Sequence, residues 1–199
     1  MPHFPRSRVL RPLTLLFVLA VGSKPATAQP PAADTRIDSS IEHTASGQRI
    51  LLHRFEVAAP VERVWKAYTT AEGWRSWAAP LAEVDLRVGG SILTHYDPAA
   101  TIGDPGTNRL EIVNFVPERL LTLQADLSEN WPEVLKEDAE GLYNVILFES
   151  RGEGTTAVES YGLGYRDRPE YDDLLGFFRS ANERLLEGLV QILEAQADG

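Results

Sequence analysis

The chain predicts an α+β domain built from a strand, two short helices, six further strands and one long terminal helix. Three observations carry this. Apolar residues alternate in short stretches between residues 49 and 165. Helical spacing appears in two places only, just after the first strand and over 169–195. The later strands follow one another with no helical pattern between them, which segregates the helices from an antiparallel sheet. At 43% hydrophobic, 24% charged and 9% aromatic residues over 199 positions, the composition is that of an ordinary globular chain.

The elements follow in order. Residues 49–58 alternate, with Leu51, His53, Phe55 and Val57 on one face, as in a half-buried strand. Pro60 then sits at a helix start, where its missing N–H costs nothing. Val61, Val64, Trp65 and Tyr68 recur at helical spacing. Thr69 and Glu72 form a capping-box pattern for a second short helix through Trp77. Stretches 82–88 and 91–97 read as strands joined by the two-residue turn Gly89-Gly90. Another pair, 109–116 and 120–127, turns around Pro117-Glu118. Residues 128–141 are polar and acidic and read as a solvated loop. Strands over 142–149 and 155–165 flank a Gly-rich turn.

The terminal helix has the strongest pattern. Pro169 opens it, and Glu170, Asp172 and Asp173 place negative charge in its first turn, where the helix dipole favours it. Leu174, Phe178, Ala181, Leu185, Leu189 and Ile192 fall at spacings of four and three, and Leu175, Phe177, Leu186, Val190 and Leu193 widen the stripe. About 27 residues at 1.5 Å each make a rod of roughly 40 Å. A broad apolar face of that length needs a matching surface, and the antiparallel sheet is the one available.

Ahead of the domain, residues 1–28 have the layout of an export leader. Arg6, Arg8 and Arg11 begin it, an apolar run spans Leu13 to Val21, and Ala26-Thr27-Ala28 offers small residues for cleavage before Gln29. The apolar run of about 9 residues is far short of the roughly 20 needed to span a bilayer. A periplasmic or secreted product is therefore expected, with no stable membrane insertion after cleavage. Residues 29–40, rich in Pro and Ala, read as a flexible lead-in, and 41–199 as a single domain.

Several chemistries are excluded. The chain has no cysteine, which removes disulfides, thiolate chemistry and Cys-based zinc sites. A formal charge of −10 argues against nucleic acid and against anionic lipid. His43, His53 and His95 lack metal-ligand spacing. There is no Gly-x-Ser-x-Gly nucleophile elbow. Gly152-Glu153-Gly154 sits in a hairpin turn with no helix after it, so it does not cradle a dinucleotide. The acidic stretch 133–140 lacks the alternating ligands and central Gly of a calcium loop. No metal or other cofactor is implied.

A set of short stretches carries a family likeness. They are Ala59-Pro60-Val61-Glu62-Arg63-Val64-Trp65, Thr69-Thr70-Ala71-Glu72-Gly73-Trp74-Arg75-Ser76-Trp77 and Val84-Asp85-Leu86-Arg87-Val88-Gly89-Gly90. Downstream come Glu111-Ile112-Val113-Asn114-Phe115-Val116-Pro117-Glu118-Arg119-Leu120-Leu121, then Gly154-Thr155-Thr156, and on the last helix Phe177-Phe178 and Asn182. In this order and spacing, over about residues 48–193, the chain resembles the activator-of-heat-shock-90-ATPase-like (AHSA-type) family of the SRPBCC (START-like) superfamily. The resemblance implies a helix-grip fold. A curved antiparallel sheet of about seven strands wraps the long C-terminal helix, with two short helices after the first strand and a cavity between sheet and helix. Family members bind apolar or amphipathic small molecules there. A minority of the superfamily are cyclases, dehydratases or hydrolases. The namesakes bind a cytosolic chaperone, a partner not expected for an exported chain.

Candidate site residues follow from that cavity. Trp65 lies on the apolar stripe of the first helix and reads as core. Trp74 and Trp77, three apart, form either an aromatic wall for a ligand or packing under a loop. His95 and Tyr96 are adjacent on one strand and must face opposite ways, and the alternation does not say which faces inward. A base role for His95 needs a partner, for which Glu111 is a candidate. Glu159 and Tyr161 share a face, functional if concave and solvated if convex. Tyr143, Phe178 and Asn182 complete the candidate set. The leading expectation is an exported protein that binds a small hydrophobic or amphipathic molecule. One alternative is an acid–base enzyme using the same cavity. The other is a module that binds a protein partner of unknown identity.

Overall fold

Eight strands, one more than expected, form a single antiparallel sheet in the computed structural model, which describes residues 36–127 and 131–195. The leader, its cleavage after Ala28 and the lead-in up to residue 35 lie outside the described residues. In chain order the elements are β1 (Asp38–His43), β2 (Gln48–Val57), α1 (Val61–Thr69), α2 (Ala71–Trp77), β3 (Leu81–Val84), β4 (Ser91–His95), β5 (Asn108–Val116) and β6 (Leu120–Asp126). Then come α3 (Glu133–Glu137), β7 (Tyr143–Ser150), β8 (Thr156–Arg166) and α4 (Asp172–Ala195). Across the sheet the order is β1-β2-β8-β7-β6-β5-β4-β3, so β1 and β3 are free edges and the sheet does not close.

The extra strand is β1, which begins inside the stretch read as lead-in. Its sequence holds one apolar residue, Ile41, because an edge strand needs ladder hydrogen bonds more than a buried face. Ile37, just before it, is fully buried. The two short helices accordingly follow the second strand rather than the first.

Two register breaks curve the sheet. One lies between Arg49 and Leu51 on β2, the other between Ile112 and Asn114 on β5. Such bulges bend the strand and increase its twist. Beyond the first break, Leu51, His53, Phe55 and Val57 are all buried toward the helix side. Opposite them the partner strand β8 buries Thr156, Val158 and Ser160.

Local signals were resolved differently in three places. The cap of α2 is Thr70, whose hydroxyl accepts from the Gly73 N–H at 3.0 Å, while Thr69 Oγ1 donates to the Trp65 carbonyl at 2.7 Å. The Gly89-Gly90 pair does not close a two-residue hairpin. Strand β3 ends at Val84, and the loop beyond it lies along β5, with Gly89 N–H on the Ile112 carbonyl and Ile112 N–H on the Gly90 carbonyl. Helix α4 is 24 residues, entered through a 3-10 turn at Pro169–Tyr171. Its buried stripe includes Leu175, Leu186 and Leu193, whereas Leu174, Leu185 and Ile192 are half-buried and Phe177 is exposed.

The largest revision concerns the acidic stretch after β6. It is not a solvated loop. Trp131, Leu135 and Leu142 are buried against Leu51, Tyr171, Leu175 and Phe178, forming a second hydrophobic cluster apart from the main one. The segment is pinned by a buried carboxylate. Asp138 lies 2.8 Å from Arg166 Nε and 2.9 Å from an Arg168 guanidinium nitrogen, and Tyr171 Oη donates to it at 3.0 Å. The acidity that suggested solvent thus serves a clamp.

Backbone contact also holds this segment to β8. Gly164 has φ +90°, and a Cβ there would fall 1.9 Å from the Gly141 carbonyl oxygen. Gly164→Ala is expected to destabilise the domain by about 2–3 kcal/mol, through positive-φ strain and displacement of residues 139–142. Urea unfolding checks this, and a variant within 0.5 kcal/mol of wild type, roughly the range of a neutral surface change, would refute it.

Candidate functional site

Between the sheet and α4 the two hydrophobic clusters stay separate, with half-buried Ala125 touching both. The main cluster packs α1, α2 and the C-terminal half of α4 onto the sheet through Trp65, Tyr68, Trp74, Ile146, Phe148, Leu186 and Leu189. The second sits at the other end, under α3. The gap is a cavity with a free interior volume of about 70 Å³; counting its mouth and the space between side chains, about 650 Å³ is empty. Its walls include Leu51, Leu123, Ala125, Trp131, Leu142 and Phe178. A smaller hollow adjoins it, walled by Tyr68, Trp74, Trp77, Ile146 and Leu186.

Four polar side chains line both spaces: His53 from β2, Asn144 from β7, Ser160 from β8 and Asn182 from α4. They form a polar waist between two apolar lobes. Ser160 Oγ donates to Asn144 Oδ1 at 2.9 Å, which satisfies the hydroxyl proton and the amide oxygen. The others are incomplete. His53 Nε2, Asn182 Oδ1 and the Tyr68 hydroxyl are buried without a hydrogen-bond partner. Their residues are only 2%, 4% and 3% exposed. Each orphaned buried polar atom costs about 1–3 kcal/mol.

The His53 ring is oriented by α4. One ring N–H bonds the backbone carbonyl of Arg179, and since Nε2 has no partner, the bonded nitrogen is Nδ1. Burial lowers the imidazole pKa from 6.5 to about 4, with the nearby Arg179 charge acting in the same direction. The ring is therefore neutral at pH 7 and presents the Nε2 lone pair as an acceptor. Burial likewise pushes the Tyr68 phenol well above its ordinary value and Tyr165, on the far wall, up to about 12. Among the described residues, no Asp, Glu, Lys or Arg lines either space.

Five of the residues singled out from sequence meet here. Tyr143, Phe178 and Asn182 line the main cavity, and Trp74 and Trp77 line the small lobe. The two indole N–H groups are spent on backbone, Trp74 on the Tyr68 carbonyl at 2.7 Å and Trp77 on the Ala67 carbonyl at 3.0 Å, so the rings offer surface rather than polar contacts. Trp65 is core, packed edge-on against Phe148.

The other candidates are elsewhere. Ile92 and Thr94 take the inward positions of β4, which sends His95 to the opposite face. There a loop covers it: His95 Nδ1 accepts from the Asp97 N–H at 3.0 Å, and Nε2 is 3.4 Å from the Pro105 carbonyl. Tyr96 is half-buried just past β4, its phenol raised to about 12 by burial, and does not line the cavity. Glu111 is exposed on β5, opposite Ser91 rather than beside His95. Glu159 and Tyr161 lie on the outer face, where Tyr161 Oη donates to Glu159 at 2.5 Å and Arg54 Nε reaches the same carboxylate at 3.2 Å. His95 and Glu111 are thus not brought together as a base and its partner, and neither His95 nor Glu159 faces the cavity.

His53 is the residue that sequence reasoning passed over. Its signal was present, as the one polar member of the inward set Leu51, His53, Phe55 and Val57. Asn144 and Ser160 gave no comparable mark.

A family model described as Activator of Hsp90 ATPase homolog 1-like protein matches residues 58–194. No curated protein matches the chain. Among solved structures, similarity extends to the Aha1 dimer from Colwellia psychrerythraea, at 20% identity and TM-score 0.58 over 73% of this chain and 96% of that one. It extends also to CalU16 from Micromonospora echinospora, at 20% identity and TM-score 0.55 over 80% and 84%. Protein MLL2253 from Mesorhizobium loti shares 17% identity at TM-score 0.59 over 74% and 98%. At these identities the likeness is one of fold.

The depressed pKa of His53 makes a pH prediction. Its folded value lies below its unfolded value, so the unfolded chain binds the proton first as pH falls. Up to about 3 kcal/mol of stability is expected to be lost between pH 6.5 and 4, and none of it above pH 7. Urea unfolding of wild type and His53→Leu at pH 7, 5 and 4 isolates this loss from carboxylate effects. Parallel profiles for the two proteins would contradict it.

Proposed function

The chain belongs to the Activator of Hsp90 ATPase homolog 1-like family, and from that membership we propose that it binds a small apolar or amphipathic molecule in the space between the sheet and α4. The supporting observation is the interruption of the hydrophobic interior by a cavity open to solvent, walled largely by apolar side chains and crossed by polar groups that lack partners. Sites for small molecules have this character, with apolar walls and a few placed polar groups. The free interior of about 70 Å³ suits a ring-sized group, and the remainder of a ligand would extend through the mouth.

The leader pattern read in residues 1–28 supports binding outside the cytoplasm, in the periplasm or beyond. Among the described residues no helix is long and apolar enough to cross a membrane. An acid–base enzyme drawing on His95 and Glu159 has lost its residues to the outer face. The ligand-binding reading needs no reaction.

Naphthalene is a suitable apolar probe. Titration followed by amide chemical shifts should give saturable changes clustered around Leu51, Leu123, Leu142 and Phe178. Ala125→Trp, which fills the main lobe, should weaken binding roughly tenfold or more. Absent shifts, or shifts scattered over the outer face around Glu159 and Tyr161, would refute the reading.

A further inference from the structure

We propose that the ligand is an uncharged ring compound carrying an N–H or O–H donor, and that this donor is taken by His53 Nε2 at the polar waist. The inference rests on the cavity-binding reading and adds the chemistry of what is bound.

The unsatisfied groups define the complement. The Ser160 hydroxyl proton and the Asn144 amide oxygen are matched to each other. His53 has its Nδ1 proton committed to the Arg179 backbone, so Nε2 can only accept. Asn182 Oδ1 is a second acceptor. The Tyr68 hydroxyl is a third free group, able to donate or accept. The waist thus presents two bare acceptors and one hydroxyl. A ligand N–H or O–H satisfies His53 Nε2 or Asn182 Oδ1, whereas a ligand with only lone pairs can meet the Tyr68 hydroxyl or an amide N–H of Asn144 or Asn182 but leaves both of those acceptors bare.

Charge narrows the class further. With no Asp, Glu, Lys or Arg among the described lining residues, a full charge on the part of the ligand buried against them would be desolvated and unpaired. The flanking surfaces are aromatic on both sides, Trp131 and Phe178 on one, Trp74 and Trp77 on the other. A flat ring bearing a polar hydrogen matches these surfaces and the waist together.

Three isosteric bicyclic probes separate the possibilities. Indole has a donor and no free lone pair in its plane, indene has neither, and benzofuran has a weak acceptor only. Calorimetric or NMR titration of wild type should find indole bound about tenfold more tightly than indene or benzofuran. The His53 Nε2 nitrogen resonance should move upfield on adding indole and stay in place with indene. In His53→Phe the indole preference should vanish while indene binding persists. Should that variant fail to fold, the nitrogen resonance and the three-probe ranking in wild type still decide the matter. Equal binding of indole and indene would overturn donor recognition, assign the bare acceptors to resident water and leave the apolar cavity standing. An indole preference that survives His53→Phe unchanged would overturn the role given to Nε2. If none of the three binds and naphthalene produces no shifts either, the cavity reading falls and the donor assignment with it.

Discussion

Helix α4 must bury a stripe along 24 residues, and the sheet beneath it is apolar at its two ends but polar in the middle. At the C-terminal end, Leu186, Leu189, Val190 and Leu193 meet a dense core built with α1 and α2. At the N-terminal end, Leu175 and Phe178 meet the segment after β6. Between them the helix buries the small Ala181 and presents Asn182 to the space that His53, Asn144 and Ser160 also line. A small side chain and an amide cannot fill what a leucine would fill, so the interior opens there. The cavity is a consequence of what the helix carries at its midpoint.

Register decides which chemistry that opening sees. On β2 and β8 the pairs His53↔Ser160 and Arg54↔Glu159 are neighbours, yet they face opposite sides of the sheet. A slip of one residue would exchange a neutral imidazole and a hydroxyl for a guanidinium and a carboxylate. The break between Arg49 and Leu51 sets this alternation for the rest of β2, and Arg49 itself is anchored by Asp167 at 2.7 Å and Asp172 at 2.5 Å. That anchor ties the start of β2 to the start of α4. Two of the four elements whose side chains form the waist are therefore fixed to each other at one end.

The α+β order, the long helix and the family likeness were legible in the sequence, because periodicity over many residues reports burial directly. What was not legible depended on neighbours that the chain does not announce. Strand β1 has almost no apolar pattern, since an edge strand is held by backbone hydrogen bonds. The segment containing α3 looked solvated because its Glu and Asp outnumber its apolar residues, but Trp131 and Leu135 turn inward and Asp138 is paired with arginines from the end of β8 and the residue two beyond it. His95 drew attention as a histidine on a strand, and alternation alone left its direction open until Ile92 was seen in the core. His53 sat in plain view within an apolar set, where a lone polar residue marks either a flaw in the pattern or a site.

The distribution of charge gives the same answer as the hydrogen bonds. The chain carries 29 acidic against 19 basic residues, yet among the described residues none of either kind lines the cavity. On the outer face charge is dense and mutually paired, as where Arg54 reaches Asp38, Glu42 and Glu159. Burial of an uncompensated ion costs far more than burial of a neutral acceptor. A cavity with a charged occupant would require a charged wall, and the wall here offers an imidazole held neutral by its own burial, an amide and hydroxyl groups. The acidic exterior does not reach the described lining of the interior, whose polar groups are neutral hydrogen-bonding groups.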